Sequence, residues 1–262
     1  MDLNLIFISF LEGLTEFLPI SSTAHLIVTS KILGVNLTLP YIKFYLLVIQ
    51  LGALLAGLFF FAKKVLTNKK LFINICISFL PSAILGFVLY KSFKKLLEGN
   101  MLVLSLALLI GGIIFIYLEK VFMKQNEVTD SATFGKIEMT IMDAFVVGLV
   151  QALAIIPGVS RSGATIVAGI LRGIKKAVII EYTFVLALPT LGVAVLYDAY
   201  KSREIFETIN SYGSLSFGIL VAFITSYFTL YLMEKYLTKI SLTYFGIYRI
   251  VIACLILIVL VF

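Results

Sequence analysis

The sequence predicts an all-α polytopic membrane protein, on the evidence of its composition, its long apolar runs and two interrupted runs. Of the 262 residues, 61% are hydrophobic and 13% are charged, and the mean hydropathy is +1.11. A soluble globular domain has about a quarter of its residues charged. The apolar runs also lack the strict alternation that is typical of membrane β-strands. Helices within a bilayer are therefore the predicted class.

Six uninterrupted apolar runs each have about the length that a bilayer-spanning helix needs, roughly 20 residues. They cover approximately 44–62, 71–90, 101–118, 178–198, 214–233 and 244–262. Each run is predicted to be one membrane-spanning helix.

Two further apolar regions, about 3–30 and 140–170, are interrupted in the middle by polar residues. The first contains Pro19 and the letters SSTAH, and the second contains PGVSRSG at 157–163. Non-helical backbone at membrane depth is tolerated only where protein covers it or where it lines a wet cavity. Each region is therefore predicted to be a re-entrant helical hairpin.

The two interrupted regions resemble each other, which predicts a duplication. Aligning FLEGLTEFLP-ISST with LVQALAIIPGVSRS places Glu12 opposite Gln151, and three predicted spans follow each region. Because three spans are an odd number, the second copy must be inverted, as in proteins that bind ligands where broken helices meet. The prediction is a single integral membrane domain, 1–262. It comprises repeat 1 at about 1–123, a linker at about 119–138 and repeat 2 at about 139–262.

The basic residues predict the orientation. The net charge is +7, and more Lys and Arg lie on the face that holds the loops near residues 63–70 and 235–239. Basic loops usually lie in the cytoplasm, so the first hairpin is predicted to open to the outside. Because the charge is spread over short loops, it indicates topology and contact with anionic membrane lipid rather than with nucleic acid.

The first hairpin carries two carboxylates. Glu12 and Glu16 are four residues apart, so a helix places them on one face. In a dry environment they repel each other, and either one takes up a proton or a cation lies between them. They are candidates for acid–base catalysis and for binding a divalent metal ion through oxygen. The alternative is a solvated helix end, which the neighbouring Phe, Leu and Ile residues argue against.

Hydroxyl groups and a histidine follow the carboxylates. Ser21 and Thr23 are candidates for substrate binding, and Ser22 is a candidate nucleophile. His25 is the one histidine in the sequence. A lone histidine is more often structural, but neutral histidine is also the usual group for proton transfer near pH 7. Its position beside the hydroxyl residues favours a catalytic role.

The second hairpin carries a candidate anion site. Arg161 lies in its broken centre, flanked by Ser160, Ser162, Gly163 and Thr165. A helix that restarts near Ser162 favours an anion at its N-terminus, and arginine binds phosphate oxygens with two parallel bonds. The alternative is that Arg161 pairs with a glutamate for structural reasons, and both can hold. The spacing and lysine of a nucleotide-binding P-loop are absent.

The two hairpins together favour chemistry or transport on a phosphorylated substrate with a lipid tail. The motifs are EGLTEFLPISSTAH at 12–25, VIQLGALLAG at 48–57, PGVSRSGAT at 157–165, EYTFVLALP at 181–189 and YRIV at 248–251. In this order they resemble the undecaprenyl-diphosphate phosphatase family of the bacitracin-resistance type, and the resemblance covers nearly the whole chain.

The resemblance implies hydrolysis of undecaprenyl diphosphate to undecaprenyl phosphate and inorganic phosphate. This reaction recycles the lipid carrier for cell-wall synthesis. It implies a divalent cation, Mg²⁺ or Ca²⁺, the bacterial plasma (inner) membrane, and an active site that faces its outer (periplasmic) side. Family positions that carry over are Glu12, Glu16, Ser21, Ser22, His25, Ser160, Arg161, Ser162 and Thr165.

Three questions stay open at this stage. The nucleophile is Ser22, His25 or a water molecule. A homodimer is considered beside a monomer. The alternative function is a lipid-phosphate transporter or flippase, because inverted repeats with broken helices are also a transporter architecture.

Overall fold

The computed structural model of the chain describes residues 2–97, 100–123, 138–201, 203–204, 212–236 and 239–261. Within these ranges the structure is helical, and the fold class predicted from the sequence is confirmed. The helices are α1 (Leu3–Thr15), α2 (Ser22–Ile32), α3 (Pro40–Thr67), α4 (Lys69–Leu97), α5 (Met101–Leu118), α6 (Ile141–Gln151), α7 (Arg161–Leu171), α8 (Lys176–Lys201), α9 (Tyr212–Tyr236) and α10 (Leu242–Val261). A π-helical turn, Glu119–Met123, extends α5, and a 3₁₀ turn, Ala152–Ile155, extends α6.

The same order of elements occurs in both halves of the chain. Two short helices that pack on each other are followed by three long ones, first as α1–α5 and then as α6–α10. The two interrupted apolar regions are therefore helical hairpins, with breaks at 16–21 and 156–160. The inverted relation of the halves and the repeat boundaries stay predictions. Most of the predicted linker, residues 124–137, lies outside the described residues.

The long helices have the dimensions of membrane spans. Five of them, α3, α4, α5, α8 and α9, are long and apolar enough to cross a bilayer within their described residues. The sixth predicted run is helical as α10, but the part with described side chains counts among the shorter apolar helices. Large apolar side chains cover the outer surface, for example Phe59 at 78% and Phe87 at 70% exposed. A soluble protein rarely exposes so much apolar surface, and the chain is a multi-pass membrane protein.

The short helices pack against long helices of the other half. Helix α1 lies on α9, and α6 lies on α4. Both contacts require glycine, because a Cβ atom at Gly13 would collide with Thr225 of α9, and one at Gly148 would collide with the backbone of Ser78 in α4. Between the halves α3 also contacts α8, and α5 contacts α10. The two hairpins are thus held by helices that come from both halves.

Two charged side chains for which the sequence suggests no role have structural partners. Asp143 is fully buried, forms a capping box with Thr140 at the start of α6, and accepts a hydrogen bond of 2.8 Å from Arg172 Nε. Glu181 of α8 forms an ion pair with Lys64 of α3. Asp143 therefore joins the two helices of the second hairpin.

Candidate active site

The first hairpin breaks in a way that exposes the start of its second helix. Ser21 has a φ of 72°, a left-handed conformation that residues other than glycine rarely adopt. It occupies the N-cap position of α2, yet its side chain makes no capping hydrogen bond. The first N–H groups of α2 therefore lack the side-chain acceptor that usually satisfies a helix start. Such a helix end attracts anions.

In the second hairpin, a side chain of the turn caps the start of the following helix. Its turn uses Gly158, with a φ of 94°, where glycine carries no steric cost. The Oγ atom of Ser160 then caps α7 by accepting a hydrogen bond of 3.1 Å from the N–H of Gly163. Helix α7 begins at Arg161, one residue before the predicted restart. The capped helix start favours an anion less than the sequence alone suggests.

The two turns meet through one ion pair. Arg161 Nη2 donates to Glu16 Oε1 at 3.1 Å, and the two side chains are 15% and 9% exposed. Arg161 Nη1 donates to the carbonyl of Ala187 at 3.0 Å and to Thr190 Oγ1 at 3.1 Å. Glu16 Oε2 accepts a short hydrogen bond from the hydroxyl of Ser22. A continuous chain of polar contacts therefore runs from Ser22 through Glu16 to Arg161 and α8.

A polar cavity of about 200 Å³ lies where the turns meet. The predicted site residues on its walls are Glu12, Glu16, Ser21, Ser22, Thr23, Ser160 and Arg161. Gln50 and Thr190 also line it, although no role was predicted for them. Gln50 belongs to the VIQLGALLAG motif, so the motif could have identified it as a site residue. Thr190 follows the EYTFVLALP motif directly, and nothing else in the sequence indicates a role for it. The structure thus gathers both hairpins around one space.

Four predicted site residues do not line this cavity. His25, Ser162, Gly163 and Thr165 lie behind its walls. Ser162 donates to the carbonyl of Leu18 in the first turn at 3.0 Å, and Thr165 Oγ1 lies 2.7 Å from Thr183 Oγ1 of α8. Their hydroxyl groups fix the two turns and α8 relative to one another.

Buried polar atoms without partners surround the cavity. Both carboxylate oxygens of Glu12, which is fully buried, and Nε of Arg161 have no hydrogen-bond partner among the described residues. Leaving such an atom unpaired costs about 1–3 kcal/mol. The Glu12 oxygens can accept a hydrogen bond or bind a cation, and the N–H of Arg161 Nε can donate to an acceptor. A ligand that combines a cation with an anion satisfies both side chains.

The carboxylates are oxygen donors of the kind that bind a hard divalent cation. Within the described part of the chain, no group of three or more His, Cys, Asp or Glu residues is placed to bind a metal ion. Glu12 and Glu16 are two such residues on one cavity wall. Mg²⁺ is commonly bound by one or two carboxylates together with water and substrate phosphates. The donor set fits a cation that arrives with, or is completed by, a phosphate group.

An apolar cavity of about 320 Å³ adjoins the polar one. Arg161 and Thr190 form part of the walls of both. The apolar walls come from α4, α8 and the 3₁₀ turn, and they include Phe87 and Val193, which are 70% and 52% exposed. The apolar space therefore reaches from the guanidinium to the lipid-facing surface.

Comparison with known proteins identifies the family. The model of the family described as "Bacitracin resistance protein BacA" matches residues 5–255. The chain belongs to this family. A protein of Campylobacter fetus subsp. fetus, named undecaprenyl-diphosphatase, is 40% identical over 98% of both chains. Proteins of the same name from Sulfurihydrogenibium sp. and Aquifex aeolicus are 40% and 39% identical, and they align with 97% and 92% of this chain. The family predicted from the motifs is confirmed.

Proposed function

We propose that this membrane protein hydrolyses undecaprenyl diphosphate to undecaprenyl phosphate and inorganic phosphate, and so recycles the lipid carrier for cell-wall synthesis. Relatives named undecaprenyl-diphosphatase match nearly the whole chain at 35–40% identity. The observation that carries the proposal is the polar cavity, whose walls include Glu12 and Arg161, and each of these side chains has buried polar atoms without a partner among the described residues. A cation–diphosphate complex satisfies both.

The two adjoining cavities suggest how the substrate lies. The diphosphate occupies the polar cavity, where Arg161, the hydroxyl groups of Ser21, Ser22 and Thr23 and the uncapped start of α2 bind its oxygens. The first isoprene units leave past Thr190 into the apolar cavity between α4 and α8. The rest of the tail extends into the bilayer. A soluble phosphate ester has no apolar tail that could bind in the apolar cavity.

Glu12 and Glu16 would hold the divalent cation, Mg²⁺ or Ca²⁺. When bound there, it would supply positive charge to the phosphoryl group, where negative charge builds up in the transition state. Arg161 supplies a second positive charge from the opposite hairpin. Arg161 and the cation held by the two carboxylates would together offset negative charge on a head group that is otherwise costly to bring to membrane depth.

Ser22 is the nucleophile in this proposal. Its hydroxyl group lines the cavity and already donates to the Glu16 carboxylate. Its Oγ forms a bond to the terminal phosphorus while the bridging P–O bond breaks, Glu16 takes the proton, and undecaprenyl phosphate leaves. Glu16 releases that proton to solvent and takes one from an attacking water. The water cleaves the phosphoserine, inorganic phosphate forms, and Oγ recovers a proton. His25 is a weaker candidate, because its ring points away from the cavity towards α10.

The membrane placement follows from the same proposal. The chain resides in the bacterial plasma membrane, and the polar cavity faces the outer side, as the family resemblance implies. A homodimer stays a prediction. The transporter alternative gains nothing from the relatives, which are named for a diphosphatase.

Phosphate release from the purified protein tests the function directly. With C15 or C55 prenyl diphosphate, we expect inorganic phosphate to appear with multiple turnovers, and to stop when a chelator is added. Restoring Mg²⁺ or Ca²⁺ in excess should restore the rate. A protein that binds the lipid in vesicles and moves it between leaflets, but releases no phosphate, would contradict hydrolysis and favour transport.

Trapping with substrate labelled at the terminal phosphorus distinguishes the nucleophiles. Ser22 predicts a labelled protein that survives acid and is cleaved by base. A label that is lost in acid and retained in base would assign the attack to His25. Turnover of the labelled substrate with no labelled protein at any quench time would assign it to water.

A further inference from the structure

Arg249 is a buried guanidinium outside the polar cavity. It lies on α10, is 2% exposed, and donates hydrogen bonds to backbone carbonyl groups of three separate segments. Nε and Nη2 bond Leu108 and Ala107 of α5 at 3.4 and 3.2 Å. Nη1 bonds Pro19 of the first turn at 3.2 Å, and Nη2 bonds Gly158 of the second turn at 3.1 Å. One side chain therefore bridges both hairpin turns.

The burial of this charge needs a physical reason. No carboxylate in the described ranges forms an ion pair with Arg249, whose guanidinium lies 5.5 Å from the ring of Phe115. An unpaired charge at membrane depth is costly and usually marks a function. Two of the carbonyl groups that it binds belong one to each hairpin turn. Gly111 keeps the space open, because a Cβ atom there would collide with the guanidinium.

The neighbouring residue, Tyr248, acts on the first turn through His25. The carbonyl oxygen of Ser21 lies 2.7 Å from His25 Nδ1, and a carbonyl can only accept, so Nδ1 carries the proton. In the neutral ring Nε2 is then the acceptor, and the hydroxyl group of Tyr248 donates to it at 2.7 Å. The Tyr248–His25–Ser21 chain thus ends at the residue with the left-handed backbone, next to Ser22.

We propose that Tyr248 and Arg249 are positioning residues for the phosphatase reaction. Arg249 sets the separation of the two turns, and with it the distance between Glu16 and Arg161. Tyr248 donates to Nε2 of His25 and orients the ring, whose Nδ1–H holds the carbonyl of Ser21 and aims Ser22 into the cavity. The kinetic part of this inference rests on the proposed function, whereas the tautomer of His25 does not depend on it.

Because His25 is the single histidine of the chain, ¹⁵N-histidine labelling gives one set of ring signals from the full-length protein. In wild-type protein in nanodiscs near pH 8, without substrate, we expect a protonated Nδ1 and an unprotonated, hydrogen-bonded Nε2. This is the less common tautomer of a free histidine. Tyr248→Phe should remove the hydrogen bond to Nε2 and shift its ¹⁵N signal, while Tyr244→Phe, one turn earlier and 68% exposed, should leave that signal unchanged. A wild-type ring that is already Nε2–H, or a spectrum that Tyr248→Phe does not alter, would overturn the role of Tyr248.

Kinetics test the same pair in the working enzyme. Tyr248→Phe should lower kcat about tenfold with KM changed less than about threefold, because the substrate contacts stay and only the aim of Ser22 changes. Tyr244→Phe should keep the wild-type values. A kcat for Tyr248→Phe equal to that of wild type would contradict positioning. If even wild-type protein releases no phosphate, the proposed function is wrong. The ring spectrum still tests whether Tyr248 forms the hydrogen bond to His25.

Arg249→Lys keeps the charge and loses the fork that reaches both turns, so kcat should fall at least about tenfold. Gly111→Ala provides a second route, because it displaces the guanidinium without removing it. Gly213→Ala is its control, since a Cβ atom there meets nothing within 4 Å. The expected result is a lower kcat in Arg249→Lys and Gly111→Ala and a wild-type kcat in Gly213→Ala. Wild-type kcat in both Arg249→Lys and Gly111→Ala would overturn the role of Arg249.

Discussion

The two hairpins have the same outline and differ in which polar groups are satisfied. In the second hairpin Ser160 caps its helix, and Ser162 and Thr165 bind other parts of the protein, while Gln151 Oε1 and Arg161 Nε lack a partner within the described structure. In the first, Ser21 leaves its helix uncapped and both oxygens of the Glu12 carboxylate lack a partner there. Buried polar groups are normally satisfied. The difference indicates that the first hairpin carries the reactive groups, while the second forms a rigid frame that supplies one guanidinium.

The backbones of the two turns also differ, and the first turn again carries the unusual feature. Gly158 adopts its positive φ without steric cost, whereas Ser21 adopts one with a side chain present. A non-glycine residue in this region costs about 1–3 kcal/mol and persists only where its surroundings hold it. Here His25 holds the carbonyl group of Ser21. Strain is therefore concentrated beside the proposed nucleophile and absent from the frame.

The largest predicted effect compares a serine from each hairpin. Ser22→Ala removes the proposed nucleophile and should lower kcat about 1,000-fold, within the range for groups that take part directly in proton transfer and attack. Ser162→Ala should keep kcat within about threefold, less than 1 kcal/mol of barrier. Phosphate release by the two purified variants measures this difference. Equal losses would contradict the division between reactive hairpin and frame.

Arg161 is the exception within the frame, and Arg161→Ala should lower kcat about 100- to 1,000-fold. This is the usual loss when a group that stabilises transition-state charge is removed. Arg161→Lys should recover part of the rate, because the charge returns without the two-pronged contact. Both variants are compared in saturating Mg²⁺. Retention of more than about a tenth of the wild-type rate by Arg161→Ala, a barrier change below 1.4 kcal/mol, would remove it from the central role.

A smaller effect is expected at the aligned pair Glu12 and Gln151. Glu12→Gln should lower activity about 10- to 100-fold and weaken the response to Mg²⁺ by a similar factor, as expected when a metal ligand is changed. Gln151 donates to Ser82 Oγ at 2.8 Å, so Gln151→Met should lose one hydrogen bond and little activity. Titration of activity against Mg²⁺ compares the two. An unchanged Mg²⁺ requirement in Glu12→Gln would place the cation elsewhere.

The smallest effect concerns stability alone. Ser160→Ala removes the cap of α7 and should destabilise the protein by about 1 kcal/mol. Ser21→Ala removes no cap and should change the free energy of unfolding by less. Thermal unfolding in detergent, monitored by circular dichroism, compares the variants. A greater loss in Ser21→Ala would show that its side chain has a structural role that the structure does not indicate.

The sequence predicted the helices and both breaks because hydropathy and turn residues act locally. It also predicted that an acidic turn and a basic turn would meet, since unpaired charges at membrane depth need partners. It did not predict that Ser162 and Thr165 point away from the cavity, because that depends on where α7 begins and how it rotates. Nor did it assign Tyr248 and Arg249, since their contacts join segments more than 90 residues apart, such as Gly158 and Arg249.

The central claim is that both hairpins bind one cation–diphosphate ligand. Titration calorimetry with a non-hydrolysable farnesyl methylenediphosphonate, with and without Mg²⁺, tests it most directly. Binding should tighten about tenfold with Mg²⁺ in wild-type protein, and by linkage the analogue should tighten Mg²⁺ binding equally. This coupling should vanish both in Glu12→Gln and in Arg161→Ala. Full coupling in either variant would mean that one hairpin binds the complex alone, and would contradict the account.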